Sequence, residues 1–131
     1  MTTILVIDDD AGLRALVGRF LGGDGHRVLE AGDGRRALEV VAAQAVELCI
    51  VDIFMPLKDG LETISELRAA GCDCRILAIS GGGSRGTLDY LDHARMFGAD
   101  AVLRKPFSRD DLRAAVAEAM TVGRDGGEGD N

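Results

Sequence analysis

The chain has no stretch near the roughly 18 uninterrupted apolar residues that a membrane-spanning helix requires. Its first residues also lack the basic, then apolar, then small-residue order of an export signal. These two absences point to the cytoplasm. Positive charge is in deficit: 15 Lys and Arg stand against 22 Asp and Glu, for a net charge of −7 and a pI near 4.7. A surface of that sign repels nucleic acid and anionic lipid, so no nucleic-acid or membrane partner is expected and a protein partner is. Cysteine is scarce and odd in number, with Cys49, Cys72 and Cys74 alone, which suits reduced thiols, and no disulfide framework is expected. Cys49 lies in an apolar run and reads as a small core residue. Cys72-Asp73-Cys74 has one intervening residue and no second pair nearby, poor geometry for zinc. His26 and His93 are isolated and carry no metal or catalytic pattern. No Gly-x-x-x-x-Gly-Lys loop is present to cradle a nucleotide. Lysine is almost absent, with Lys58 and Lys105 beside thirteen arginines.

What is present fits one globular domain. The chain has 131 residues, 47% hydrophobic and 28% charged, enough apolar side chain for a single core. Short apolar runs at residues 4–7, 48–51 and 76–79, rich in β-branched types, read as fully buried strands. Residues 26–31 and 101–103 are less apolar and read as strands nearer the sheet edges. Between them Leu13, Leu16, Val17, Phe20 and Leu21 repeat at helical spacing, as do Leu112, Ala115, Val116, Ala119 and Met120. Ser108 with Asp111 three positions on is the signature of a capped helix start. Weaker helical patterns cover residues 34–45, 60–70 and 86–97, with Gly71 and Gly98 placed to end the last two. Strand and helix thus alternate five times. Such alternation predicts an α/β three-layer sandwich, a five-stranded parallel sheet with five helices and right-handed crossovers. Putting the most apolar runs at the centre favours the strand order 2-1-3-4-5. Residues 1–121 form the expected domain. Residues 122–131, polar and glycine-rich, are expected to be a disordered tail with no output domain after it.

In open parallel sheets the functional crevice lies beyond the carboxyl ends of the strands. Asp8-Asp9-Asp10 follow the first apolar run, Asp52 the third, Ser80 the fourth, and Arg104 and Lys105-Pro106 the fifth. Crowded carboxylates repel unless a cation joins them, and hard oxygen donors of this kind suit Mg2+. Asp9 and Asp52 are the expected direct ligands, with Asp8 acting through a bound water and the main-chain carbonyl of Phe54 completing the protein donors. Asp10 is expected to point elsewhere. A carboxylate beside a divalent cation and an ammonium is placed to attack phosphorus, because both cations offset charge on the transferring phosphoryl oxygens. Asp52 is the expected nucleophile, with Lys105 and Ser80 holding the resulting aspartyl phosphate. A cis Lys105-Pro106 peptide would aim the lysine inward. Taken singly, each motif also reads as a helix cap or a turn. The weight lies in their joint position at one rim.

These residues resemble bacterial two-component response-regulator receivers across residues 3–120. The matching motifs are Ile-Leu-Val-Ile-Asp-Asp-Asp, Asp52 followed by Met-Pro and Asp-Gly, then Ile-Ser-Gly, Gly-Ala-Asp and Lys-Pro-Phe. The resemblance implies a flavodoxin-like, stand-alone response regulator in phosphorelay signal transduction, similar to chemotaxis regulators. It implies phosphoryl transfer to Asp52 from a sensor histidine kinase or a histidine phosphotransfer protein, followed by loss through hydrolysis. It also implies a downstream protein target at the face of helix 4, strand 5 and helix 5, and a monomer or weak dimer. No turnover of an external substrate is expected.

Two positions depart from the family pattern. Receivers often carry an aromatic residue three before the lysine, where this chain has Val102, so an aromatic rotamer cannot be the readout there. Residues 81–86, rich in glycine, are the expected alternative carrier of the signal. Phe54, two after Asp52, is bulky and is expected to shield an acyl phosphate from water. Two other readings remain open at this stage. One is a receiver-like adaptor that binds partners regardless of phosphate. The other is a phosphatase using Asp52 as nucleophile, which has no insertion long enough to build a substrate cap.

Overall fold

The computed structural model describes residues 1–55, 60–81 and 94–122. Five strands, β1 (Thr3–Ile7), β2 (Arg27–Ala31), β3 (Leu48–Asp52), β4 (Arg75–Ser80) and β5 (Ala101–Arg104), form one parallel sheet in the order β2-β1-β3-β4-β5. The helices are α1 (Ala11–Gly23), α2 (Gly34–Ala43), α3 (Gly60–Ala69), α4, of which residues 94–97 are described, and α5 (Arg109–Thr121). This is the expected three-layer α/β sandwich.

Strand periodicity divides the core into two layers, because successive side chains leave a sheet on opposite faces. Leu5, Ile7, Cys49, Val51, Ile76 and Ala78 pack on one face with Ala37 and Val40 of α2, Ile64 and Leu67 of α3, and Ala94 of α4. Ile4, Val6, Leu48, Ile50, Leu77 and Ile79 pack on the other with Val17 and Leu21 of α1 and Leu112, Ala115 and Val116 of α5. Residues 48–52 of β3 are buried without a break, as a central parallel strand must be when helices cover both faces. β2 and β5 are the edge strands, as their thinner apolar content implies.

Local signals set the element ends. Asp10 caps α1 by accepting from the amides of Gly12 and Leu13, and Asp33 caps α2 through the Arg36 amide. Ser108 and Asp111 make the reciprocal capping box expected of α5. Gly71 and Gly98 follow α3 and α4 with φ of 85° and 126°, a region that other residues rarely enter. Most boundaries shift by a residue or two from the sequence reading, and two of the shifts have a visible cause. Strand β2 begins at Arg27, while His26 instead accepts the Thr2 amide on Nδ1. Helix α2 ends at Ala43 and not at residue 45, with Gln44 extended. The Glu47 amide must reach the Thr3 carbonyl where β3 comes up beside β1, so the chain leaves the helix early.

Pro56, Asp59, the glycine-rich residues 82–86, residues 86–93 of the fourth expected helix and tail residues 123–131 lie outside the described residues. Among the described residues no helix is long and apolar enough to cross a membrane.

Candidate functional site

The carboxyl ends of β1, β3, β4 and β5 bring the sequence-derived residues to one rim. Asp8 leaves β1 buried, its amide bonded to the Ala31 carbonyl at 3.1 Å and its Oδ1 accepting from the Asp10 amide at 2.9 Å. Asp9 stays exposed. Asp52 ends β3, 5% exposed, and accepts the Phe54 amide on Oδ1 at 3.3 Å. One carboxylate oxygen from each of Asp8, Asp9 and Asp52 lies within 4.8 Å of the others. The three consecutive aspartates therefore divide their work: Asp8 faces inward, Asp9 joins the cluster from the solvent side and Asp10 caps α1.

Lys105 reaches this cluster from β5. Its amide donates to the Ser80 carbonyl at 2.8 Å, and the Lys105-Pro106 peptide is cis. Its Nζ lies 3.7 Å from Asp8 Oδ2 and 3.7 Å from Asp52 Oδ2, beyond ordinary hydrogen-bond length to either. Ser80 is fully buried, and its Oγ has no hydrogen-bond partner among the described residues. An orphan hydroxyl usually costs about 1–3 kcal/mol, so its presence at this rim marks a group kept for something other than stability.

The electrostatics fit the geometry. Burial first, and then the neighbouring Asp8 charge, push the Asp52 carboxyl up from 3.8 to about 7 against the pull of Lys105. Asp8 is likewise raised, chiefly by burial and in part by Asp9 and Asp10. One lysine does not neutralise three carboxylates. A hard divalent cation would, and the oxygen-only donor set suits Mg2+. Of the residues expected to bind metal, Asp8, Asp9 and Asp52 come together. Phe54, two residues after Asp52, is 44% exposed.

Two contributors were not assigned a site role from sequence. Gly60 donates its amide to the Ile53 carbonyl at 2.7 Å, and a Cβ there would lie 2.3 Å from the Asp52 carbonyl oxygen. The sequence marks Gly60 only as the start of a helical pattern, whereas the fold packs it directly against the backbone of Asp52 and Ile53. Arg14 donates from Nη1 to the Asp8 carbonyl at 2.6 Å and pairs through Nε with Glu30 at 2.9 Å, fixing the exit of β1. No local pattern announces that contact. At the position three before the lysine, Val102 is partly buried against the α2/α3 side of the core.

A family model described as a response regulator receiver domain matches residues 4–117. The response regulator MprA of Mycolicibacterium vanbaalenii is 36% identical over 86% of this chain and 48% of its own length. The sporulation initiation phosphotransferase F of Bacillus subtilis is 28% identical over 91% of this chain and 94% of its own. The chain thus spans about half the length of the MprA relatives it matches and nearly all of the second protein. Among solved structures, the receiver domain of NtrX from Brucella abortus superposes with a TM-score of 0.83 at 30% identity, covering 92% of this chain and 99% of that one. The chemotaxis protein CheY4 of Vibrio cholerae gives 0.82 at 26% identity, covering 91% and 98%.

Proposed function

The chain belongs to the response regulator receiver domain family of two-component signalling, and from that premise we propose that Asp52 accepts a phosphoryl group from a phosphohistidine donor and thereby switches a protein–protein contact. The observation that carries this reading is the cluster of Asp8, Asp9 and Asp52 within 4.8 Å, with Lys105 Nζ 3.7 Å from two of the three carboxylates.

An Asp52 carboxylate oxygen attacks phosphorus, and the bond from phosphorus to the imidazole nitrogen breaks with its electron pair going to the ring. For this Asp52 must be ionised. With its carboxyl raised to about 7, much of it would hold a proton at neutral pH unless positive charge is brought close. Asp8, Asp9 and Asp52, with the Phe54 carbonyl, would hold Mg2+, which when bound supplies charge that ionises the acceptor and offsets the phosphoryl oxygens. Lys105 then moves from its long contacts with two carboxylates to a phosphoryl oxygen. The buried Ser80 hydroxyl, without a partner among the described residues, has a donor to give the product. Phe54 covers the acyl phosphate and slows its hydrolysis. The chain turns over no external substrate: it gains and loses its own phosphate. Partners are a sensor histidine kinase or a histidine phosphotransfer protein upstream and a protein target downstream, at the face of α4, β5 and α5. The likeness to a phosphotransferase of sporulation initiation over 94% of that protein's length supports a place in a relay.

Intact-mass measurement after incubation with acetyl phosphate and magnesium tests the reading. The expected result is a gain of one phosphoryl group that is absent in Asp52→Asn and absent with a chelator. No gain from acetyl phosphate, and none from a panel of phosphorylated histidine kinases, would overturn it in favour of a phosphate-independent adaptor.

A further inference from the structure

At the opposite end of the sheet the three cysteines, separated by up to 25 positions in sequence, meet. Cys49 is the second residue of β3 and fully buried, and Cys74 immediately precedes β4 with 5% exposure. Pairing of β3 with β4 sets Leu48 beside Arg75, which brings Cys49 Sγ to 3.6 Å from Cys74 Sγ. Cys72 is half-buried in the turn between α3 and β4. With Cys74 it lines a mainly apolar surface cavity of about 800 Å³, bounded by Val41 and Val46 on one side and Gly71 on the other. This group is far from the acidic rim, and neither Asp52 nor its neighbours take part in it.

We propose that these thiols form a peroxide-reactive site in which Cys72 is oxidised first and one of the two buried cysteines then closes a disulfide with it. Access favours Cys72, since it faces the cavity while Cys49 is sealed in the core. Its protonation state agrees: hydrogen bonding from Cys49, then from Cys74, with help from the Arg68 charge, brings the Cys72 thiol down to about 5. Cys49 shifts the other way and keeps its proton, held up by its thiol contacts and by burial. A thiolate is the nucleophilic form of cysteine, and a low value with partial exposure is the usual setting of a redox-sensitive one.

The Cys72 sulfur attacks one oxygen of a hydroperoxide. The O–O bond breaks, the second oxygen departs and takes a proton as water or alcohol, and Cys72 becomes a sulfenic acid. A neighbouring thiol sulfur then attacks the sulfenic sulfur, forming S–S and breaking S–O. The hydroxide released takes that thiol's proton and leaves as water. Two cysteines are oxidised by two electrons and the peroxide is reduced by two.

The test treats the reduced, folded full chain with hydrogen peroxide and follows intact mass and the number of thiols open to alkylation. Expected are a loss of two hydrogens, one remaining alkylatable thiol and a mapped bond that includes Cys72. The rate should fall by about tenfold in Cys72→Ser, and also in the wild-type chain under denaturing urea, where the thiol cluster is dispersed. Substituting both resolving partners, Cys49→Ala with Cys74→Ala, should leave Cys72 gaining oxygen more slowly and without loss of hydrogen, since both lowering hydrogen bonds go with them. Equal rates for the folded chain, the unfolded chain and Cys72→Ser would overturn the proposal, as would oxygen gain at Cys72 with no disulfide in the wild-type protein. Thermal melting of Cys72→Ser beside the wild type separates loss of reactivity from loss of fold.

Discussion

Two cations hold the two ends of this sheet, and they do so in opposite ways. Arg68, in the last turn of α3, sits where β4 and β5 begin. It donates to the carbonyls of Cys72 at 3.1 Å, Cys74 at 2.6 Å and Gly98 at 2.8 Å, and pairs with Asp100 at 3.2 Å. Asp100, its side chain 7% exposed, also accepts the Ile76 amide at 2.9 Å. Lys105, where β1, β3 and β5 end, stands 3.7 Å from each of two buried carboxylates, beside a Ser80 hydroxyl that has no partner among the described residues. Charges at the first end are matched and hydrogen-bonded. Those at the second are crowded and underpaired. Buried polar groups that are fully satisfied hold a structure together, whereas those left unsatisfied lower stability until a ligand arrives. The two ends separate what keeps the fold from what the fold is for.

The contrast can be broken from either end. Gly60→Ala should do the greatest damage, about 4 kcal/mol by urea denaturation, because its new methyl group meets Asp52 and Ile53 backbone and not a side chain that can swing away. Arg68→Met should cost about 3 kcal/mol by leaving Asp100 and several loop carbonyls short of donors, while phosphoryl uptake at low temperature persists.

At the other end the sign should reverse. Asp52→Asn should stabilise the metal-free protein by about 2 kcal/mol at pH 8, about half of what the shift from 3.8 to about 7 implies, since the rim is open to solvent that screens the charge. The fold favours protonated Asp52, so its contribution is fully present below pH 3.8 and is lost as pH rises through about 7. The stability gap between wild type and Asp52→Asn should therefore be near zero at pH 4 and complete above pH 7. Magnesium at pH 8 should close that gap by stabilising the wild type alone. A gap independent of both pH and magnesium would refute the assignment of strain to the acidic rim. The smallest effect expected is kinetic: Phe54→Ala should shorten the half-life of the phosphorylated protein a few-fold, measured by loss of phosphoryl mass, with little change in stability at a side chain already 44% exposed.

Much of this architecture follows from neighbours along the chain. The buried runs of β1, β3 and β4, the stripes of α1 and α5, the Ser108 cap and the glycines after α3 and α4 are all patterns over a few residues. Their alternation implies a parallel sheet, the placing of the most apolar runs favours its order, and that order puts Asp8, Asp52, Ser80 and Lys105 at one rim. Legibility stops where a contact depends on register between distant segments. Three adjacent aspartates look alike in sequence, and only the path from β1 into α1 decides that Asp8 is buried, Asp9 joins the cluster and Asp10 caps a helix. Gly60 reads as a helix start, but its need to be glycine arises from the backbone of Asp52 and Ile53 behind it. Cys49 and Cys74 look like a core residue and half of an incidental pair until β3 and β4 align and set their sulfurs 3.6 Å apart. The sequence alone determined which elements form and which residues share an end of the sheet, because helix and strand periods are short-range. Only the tertiary structure decided which charges are matched, which hydroxyl is left without a partner among the described residues and which thiols touch, because those depend on distances between segments far apart in the chain.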